Sequence, residues 1–140
     1  NHQIFQMPLN MTKIAFGATS PADLKARLVH YADAGEVRLT TRYLPKRVEE
    51  MAEGSLYWIH AHTIIGRSPI IGFMENGAGR HWIRIEPRLI PVRGIPKRAH
   101  QGWRYLEEKD APPDLGDGEA DARDVMPSKM LGDLMKMGLV

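Results

Sequence analysis

Between Ser55 and Pro87 the chain carries three stretches, SLYWIHAHTII, SPIIGFM and RHWIRIEP, rich in aromatic and β-branched residues. Only short turn signals separate them: Gly66-Arg67 before the second, and ENGAG, with its Asn-Gly pair, before the third. Parallel neighbours need a crossover of a dozen or more residues, so strands this close must pair as antiparallel hairpins. In RHWIRIEP, Trp82, Arg84 and Glu86 fall on one face and His81, Ile83 and Ile85 on the other. Pro87, Pro91 and Pro96 then exclude a long central strand, because proline has no N–H to give to a ladder. GWRYL reads as a last short strand, with Trp103 and Tyr105 on one face and Arg104 on the other.

Helices flank this β-rich centre. Leu9 to Phe16 reads as a first strand ended by Gly17, and SPADLKARLVHYADAG follows as a helix. Ser20 is placed as N-cap, Pro21 at the first helical position and Asp23 in the first turn, where the helix dipole favours an acid. Leu24, Leu28 and Tyr31 form its apolar stripe, and Gly35 its stop. EVRLTTRYL supplies a short strand. PKRVEEMAEG reads as a second helix with Val48, Met51 and Ala52 inward, and MPSKMLGDLMKMGLV as a third, with Met130, Leu131, Leu134 and Met135 on one stripe. The order β-α-β-α-β-β-β-(β)-α points to an α+β fold. The expected architecture is a curved, mostly antiparallel sheet or half-open barrel packed with about three helices.

A chain of 140 residues suits one domain, here 7–140. Residues 1–6 read as a remnant upstream of a natural start at Met7, and 107–125 as an acidic loop within the domain. No apolar run approaches the roughly 20 residues of a membrane-spanning helix, and the N-terminus lacks the features of a secretory signal. With no cysteine, disulfides, thiol nucleophiles and thiolate metal sites are excluded together, which fits a cytoplasmic protein. Net charge is only +2, but it is unevenly spread. Arg80 to Arg104 holds seven basic residues against one acid, and Glu107 to Asp124 eight acids against two bases. That asymmetry suggests a basic patch for an anionic partner, or an acidic tail folded back on it.

Catalytic and metal motifs are scarce. His60 and His62 stand at strand spacing, on one face if the strand is continuous, and His81 is a conceivable third ligand; a polar outer face explains the pair as well. There is no Gly-x-Ser-x-Gly elbow, and GFMENGAG lacks the lysine of a P-loop. Glu107, Glu108, Asp110 and Asp114 lie in what reads as exposed chain, where carboxylates keep ordinary pKa values. No catalytic residue, cofactor or metal is therefore assigned. The remaining signal is KRAHQGWRYL, where arginines and aromatics interleave: guanidinium grips phosphate or carboxylate, and an aromatic face stacks on a base. Arg67, Arg98, Gln101, Trp103, Arg104 and Tyr105 are the candidate ligand-binding residues. Trp103 and Tyr105 serve equally as pins that anchor the proline-rich return to the sheet.

GSLYWIHAHTIIGR, IEPRLIPV, KRAHQGWRYLEEKDAPPDL and MLGDLMKMGLV, taken together and in this order, resemble domain of unknown function family 1489, a mainly alphaproteobacterial family. The resemblance covers nearly the whole chain from Met7 and is most specific over Gln101 to Leu106. Arg67, Gln101, Gly102, Trp103, Arg104 and Tyr105 fall on the family pattern, whereas His60 and His62 depart from it. The family implies no activity. At the level of fold, TRYLPKR leading into GSLYW is similar to the small β-barrels of the PUA and ASCH group, many of which bind RNA or modified bases; fold alone does not fix function.

Three functions are therefore compared. The first is a binding module for RNA or a nucleotide-like anion, with Arg67, Arg98 and Arg104 on phosphate and Trp103 or Tyr105 stacking. The second is a small enzyme acting on an anionic substrate, with Arg104 as clamp and Asp110 or His100 as acid/base, which requires EEKDAPPDL to be ordered over a pocket. The third is a protein-interaction module using the C-terminal Met-rich helix.

Overall fold

In a computed structural model that describes residues 7–115, seven strands form one mixed sheet. They are β1 (Leu9–Ile14), β2 (Val37–Thr41), β3 (Ser55–His60), β4 (Thr63–Glu75), β5 (His81–Ile85), β6 (Ile90–Pro96) and β7 (Trp103–Glu107). The order is β2-β5-β4-β3-β1-β7, with β6 also paired to β4. β1 and β3 are parallel and every other pair is antiparallel. The sheet forks at β4, whose first half lies between β3 and β6 and whose second half pairs with β5. The α+β class holds in coarse form, but the sheet is open: among the described residues β2 and β7 end it on opposite sides and do not meet.

The single α-helix among the described residues, α1 (Pro21–Val29), starts as its sequence dictates: the Ser20 hydroxyl accepts the Asp23 N–H at 3.0 Å, and Pro21 occupies the first turn. It ends earlier than expected, so Leu24 and Leu28 are buried while Tyr31 stays half exposed. The expected second helix is only a 3-10 turn, Val48–Met51. Three apolar side chains cannot offset the cost of nucleating a helix, and only Met51 is fully buried. The expected third helix, the 1–6 remnant and the part of the acidic loop beyond Leu115 lie outside the described residues.

The sheet buries both faces. On one, α1 and Met51 cover Leu9, Met11, Leu56, Trp58, Ile83 and Ile85, with Trp103 and Tyr105 packed at the margin. On the other, Tyr57, Ile59, Ile64, Val92 and Leu106 form a smaller cluster joined by Ile95 and Ala111. Buried Trp58 donates its indole N–H to Ser68 Oγ at 2.9 Å, and that hydroxyl donates to Arg88 O, so no polar atom is stranded along this line.

Two turns differ from the sequence reading. The chain does not turn at Gly66-Arg67: β4 runs through both, and the β3–β4 hairpin turns at Ala61-His62. His60 and Thr63 face each other across it, with φ of 50° at Ala61 and 59° at His62. Left-handed conformation at both central residues is the signature of a type I′ turn, which favours Asn-Gly. His62 therefore sits at an exposed tip rather than on the strand face of His60, whose ring bonds the Ala18 carbonyl oxygen at 3.1 Å. The two histidines do not share a face, and no group of metal-ligating side chains exists among the described residues. Each L-residue in this region costs about 1–2 kcal/mol, so Ala61→Asn with His62→Gly is expected to raise stability by about 1–2 kcal/mol in a urea melt. An unchanged or lower midpoint would mean that the turn is not strained.

β6 keeps two prolines because it is a short strand at the fork, with Pro91 opposite Gly66 and Pro96 opposite Thr63. Its outer side is closed by the first part of the acidic stretch: Arg93 N–H donates to Pro113 O at 2.8 Å, and Leu115 N–H to Pro91 O at 2.9 Å. No helix among the described residues is long and apolar enough to cross a membrane.

Candidate functional site

Strand register decides which of the candidate residues meet. Arg67 pairs with Tyr57, Tyr57 with Thr12, and Thr12 with Arg104. These four form one row straight across β4, β3, β1 and β7, on the face opposite α1. Three strand spacings separate Arg67 from Arg104, roughly 14 Å. The two arginines share a face but not a site.

Arg67 is fully engaged. Its Nε and Nη2 donate to the two carboxylate oxygens of Asp114, each at 2.8 Å, and Nη1 donates to Ser55 Oγ at 2.8 Å. This bidentate pair raises the guanidinium pKa and lowers that of Asp114. It fastens the Glu108–Leu115 segment over the sheet, around a hollow of about 430 Å3 that also includes Tyr57 and Glu108. Burial pushes the Tyr57 hydroxyl up to about 12. Glu108 accepts from Asn10 Nδ2 at 2.9 Å, while Asn10 Oδ1 accepts the Ser55 N–H. The first part of the acidic stretch is thus tied down by named bonds rather than free, although Asp110 is exposed and does not line this hollow.

At the other end of the row the chemistry is different. Lys97, Arg98, Ala99, His100, Arg104 and Tyr105 line a hollow of about 620 Å3. Among the described residues no carboxylate lines it. Arg27, Arg38, Arg47, Arg67, Arg84 and Arg88 all hold ion pairs, whereas Lys97, Arg98 and Arg104 hold none among the described residues. Arg42, Arg80 and Arg93 are unpaired too, but they do not line this hollow.

The loop that carries these cations is positioned from two sides. Lys97 N–H donates to His62 O at 2.8 Å, which moors the loop to the left-handed hairpin tip. His100 Nε2 and the buried Thr12 hydroxyl share a 2.8 Å hydrogen bond, which moors it to β1. His100 Nδ1 is buried without a hydrogen-bond partner. Burial, first, and then the charges of Arg104, Lys97 and Lys13 hold the His100 pKa below its ordinary 6.5, opposed by the Gln101 backbone. The neutral ring is therefore favoured at pH 7, and a negative charge nearby would favour the protonated form.

Trp103 and Tyr105 stack edge-to-face, centroids 4.9 Å apart, and pack against the α1-side core while Arg104 projects from the other face. Tyr105 additionally accepts the Arg47 N–H at its hydroxyl and reaches the hollow's lining. Gln101 is exposed in the turn before β7. Of the residues singled out in the sequence, Arg98 and Arg104 come together, and Tyr105 touches the same lining although its ring packs with Trp103. Trp103 lies on the core side and Arg67 in the neighbouring hollow. Lys97 belongs to the cluster, as does His100, which the sequence offered only as an acid/base; their adjacency to Arg98 was the available signal.

Residues 11–140 match the model of the family described as protein of unknown function (DUF1489). No curated protein and no solved structure gives a significant match. A match from within β1 to residue 140, over the same segments whose resemblance was noted in the sequence, makes the chain a member of the DUF1489 family.

Proposed function

We propose that the protein is a small binding module for a phosphate-bearing anion, RNA or nucleotide-like, held in the Lys97–Arg104 hollow. One observation carries this reading: three cations and a histidine converge there with no carboxylate among the described residues to neutralise them. Unpaired guanidinium groups grip phosphate bidentately, and Lys97 adds a point charge. Trp103 and Tyr105, packed together on the core side, hold β7 in place and with it Arg104. The PUA-like analogy belongs with this reading, since it favours RNA.

The test is a titration of short single-stranded RNA and of a nucleoside diphosphate, followed through the three tryptophans at several salt concentrations. Three phosphate contacts correspond to a log–log salt slope of about −2 for single strands. No binding at low salt would refute the reading.

A second reading keeps the same hollow and makes His100 an acid/base with Arg104 as substrate clamp. Its support is the neutral His100 ring, hydrogen-bonded to Thr12 and lining the hollow. Asp110, the other acid/base candidate, has no such position. Turnover of a phosphate ester that His100→Gln abolishes, with ligand affinity retained, would select this reading over simple binding.

A further inference from the structure

A larger cavity than either hollow lies elsewhere. It measures about 910 Å3 and is bounded by the end of β1, by α1 and its following turn, and by β2, with Trp58 of β3 also on its lining. Its walls are chiefly apolar: Leu24, Leu28, Val37 and Leu39 join Trp58. Two aromatic residues on the lining are conspicuously exposed, Phe16 at 90% and Tyr31 at 49%. A cavity of this size with apolar walls and few charged groups has the form of a small-molecule site.

The charged groups define what such a molecule must carry. Arg27 is committed to Asp23 and to the Gly17 carbonyl oxygen. Arg38 is committed to Glu36 and lies 4.6 Å over the Trp82 ring, and Glu36 is bound by Arg84 as well. These two arginines hold Glu36 down to a pKa of about 2, so it stays anionic. Lys13 is the exception. It is half-buried and has no carboxylate partner among the described residues, and burial alone lowers its pKa. A partly desolvated ammonium beside apolar walls is unfavourable until a negative group reaches it. One ammonium neutralises one charge, and the other charged groups on the lining, Arg27, Arg38 and Glu36, are already paired. The geometry therefore suits a monoanion and disfavours a phosphate dianion.

We propose that this cavity is a separate ligand site for a small amphipathic carboxylate, fatty or aromatic, with its apolar body against Leu24, Leu28, Leu39 and Trp58 and its carboxylate at Lys13. It differs from the cationic hollow in chemistry: among the described residues that hollow offers several unpaired cations, this one Lys13 alone beside a broad apolar wall.

The test uses the full chain with decanoate and with the fluorescent aromatic anion 8-anilinonaphthalene-1-sulfonate. Saturable enhancement of the dye is expected, displaced by decanoate but not by decanol or inorganic phosphate. Lys13→Met, which keeps the aliphatic stem, is expected to weaken decanoate by at least about tenfold while leaving the melting temperature close to that of the parent. Should that variant fail to fold, methyl NMR on the unmodified protein decides: decanoate must shift Leu24, Leu28 and Leu39. Absence of saturable binding, decanol competing as well as decanoate, or shifts confined to other methyl groups would each overturn the proposal.

Discussion

Gly54→Ala is expected to cost about 3 kcal/mol or more, a large share of a small domain's stability. A β-carbon at this position would stand 2.0 Å from the backbone oxygen of Leu9 and 3.0 Å from its carbonyl carbon. The obstacle is the backbone of an interior strand rather than the tip of a flexible side chain. Relief by movement is also blocked, since Gly54 N–H donates to Met51 O, and Gly54 O accepts from Ile70 N, each at 3.0 Å. Next to it the Ser55 N–H is held by Asn10 Oδ1 at 2.8 Å. Displacing Gly54 therefore disturbs the β1–β3 pairing on which both core faces rest. A urea melt measures this directly. A loss below about 1 kcal/mol would mean that β1 yields at Leu9 more easily than its burial implies.

The second large effect is on binding. Removing both guanidinium groups in Arg98→Ala/Arg104→Ala is expected to weaken phosphate-bearing ligands by at least about a hundredfold at low salt, since charge-assisted contacts contribute roughly 1.5–3 kcal/mol each. The salt slope should fall from about −2 to about −0.7, the value for one remaining contact at Lys97. Stability should change little, because neither arginine holds an ion pair among the described residues and both are exposed. Arg67→Ala is the informative contrast. It frees Asp114 and Ser55 and loosens the Glu108–Leu115 segment, while leaving affinity at the hollow nearly intact. Equal loss of binding in both variants would place the ligand across the whole row instead of at one end.

Local signals in the sequence translated well where the chemistry is local. Ser20-Pro21 marked the start of α1, ENGAG the β4–β5 hairpin, and the alternation of GWRYL placed Trp103 and Tyr105 opposite Arg104. The β3–β4 turn was illegible because neither Ala61 nor His62 is a residue that such a turn normally selects. Gly66 drew attention as a turn residue for an unrelated reason: it faces Trp58 across the ladder, and a β-carbon there would meet Leu89 at 2.6 Å. Helix lengths were overestimated where stripe residues had nothing to pack against, as at Tyr31.

The site was legible only in part. Arg98 and Arg104 are near neighbours in sequence, so their convergence needed little beyond the turn between them. Arg67 also belongs to the basic complement of the chain, but its partner Asp114 lies 47 residues away and removes it from the binding set. His100 acquires its character from Thr12, 88 residues distant, through the β1–β7 register. Lys13 gave no signal at all, because what distinguishes it is the lack of a partner in a half-buried place.

The most direct test of anion binding at the hollow is the protonation of His100, followed by its ring proton resonances across pH with and without saturating nucleoside diphosphate or short RNA. In the free protein the ring should titrate below 6.5, because burial and neighbouring cations disfavour its charge. The unfolded chain then takes up the proton first, so stability falls as pH drops below 6.5. A phosphate in the hollow reverses the local field. The His100 pKa should rise on binding, and affinity should strengthen as pH falls. A ligand that binds while the His100 titration stays where it was would contradict the assignment of this hollow as the anion site.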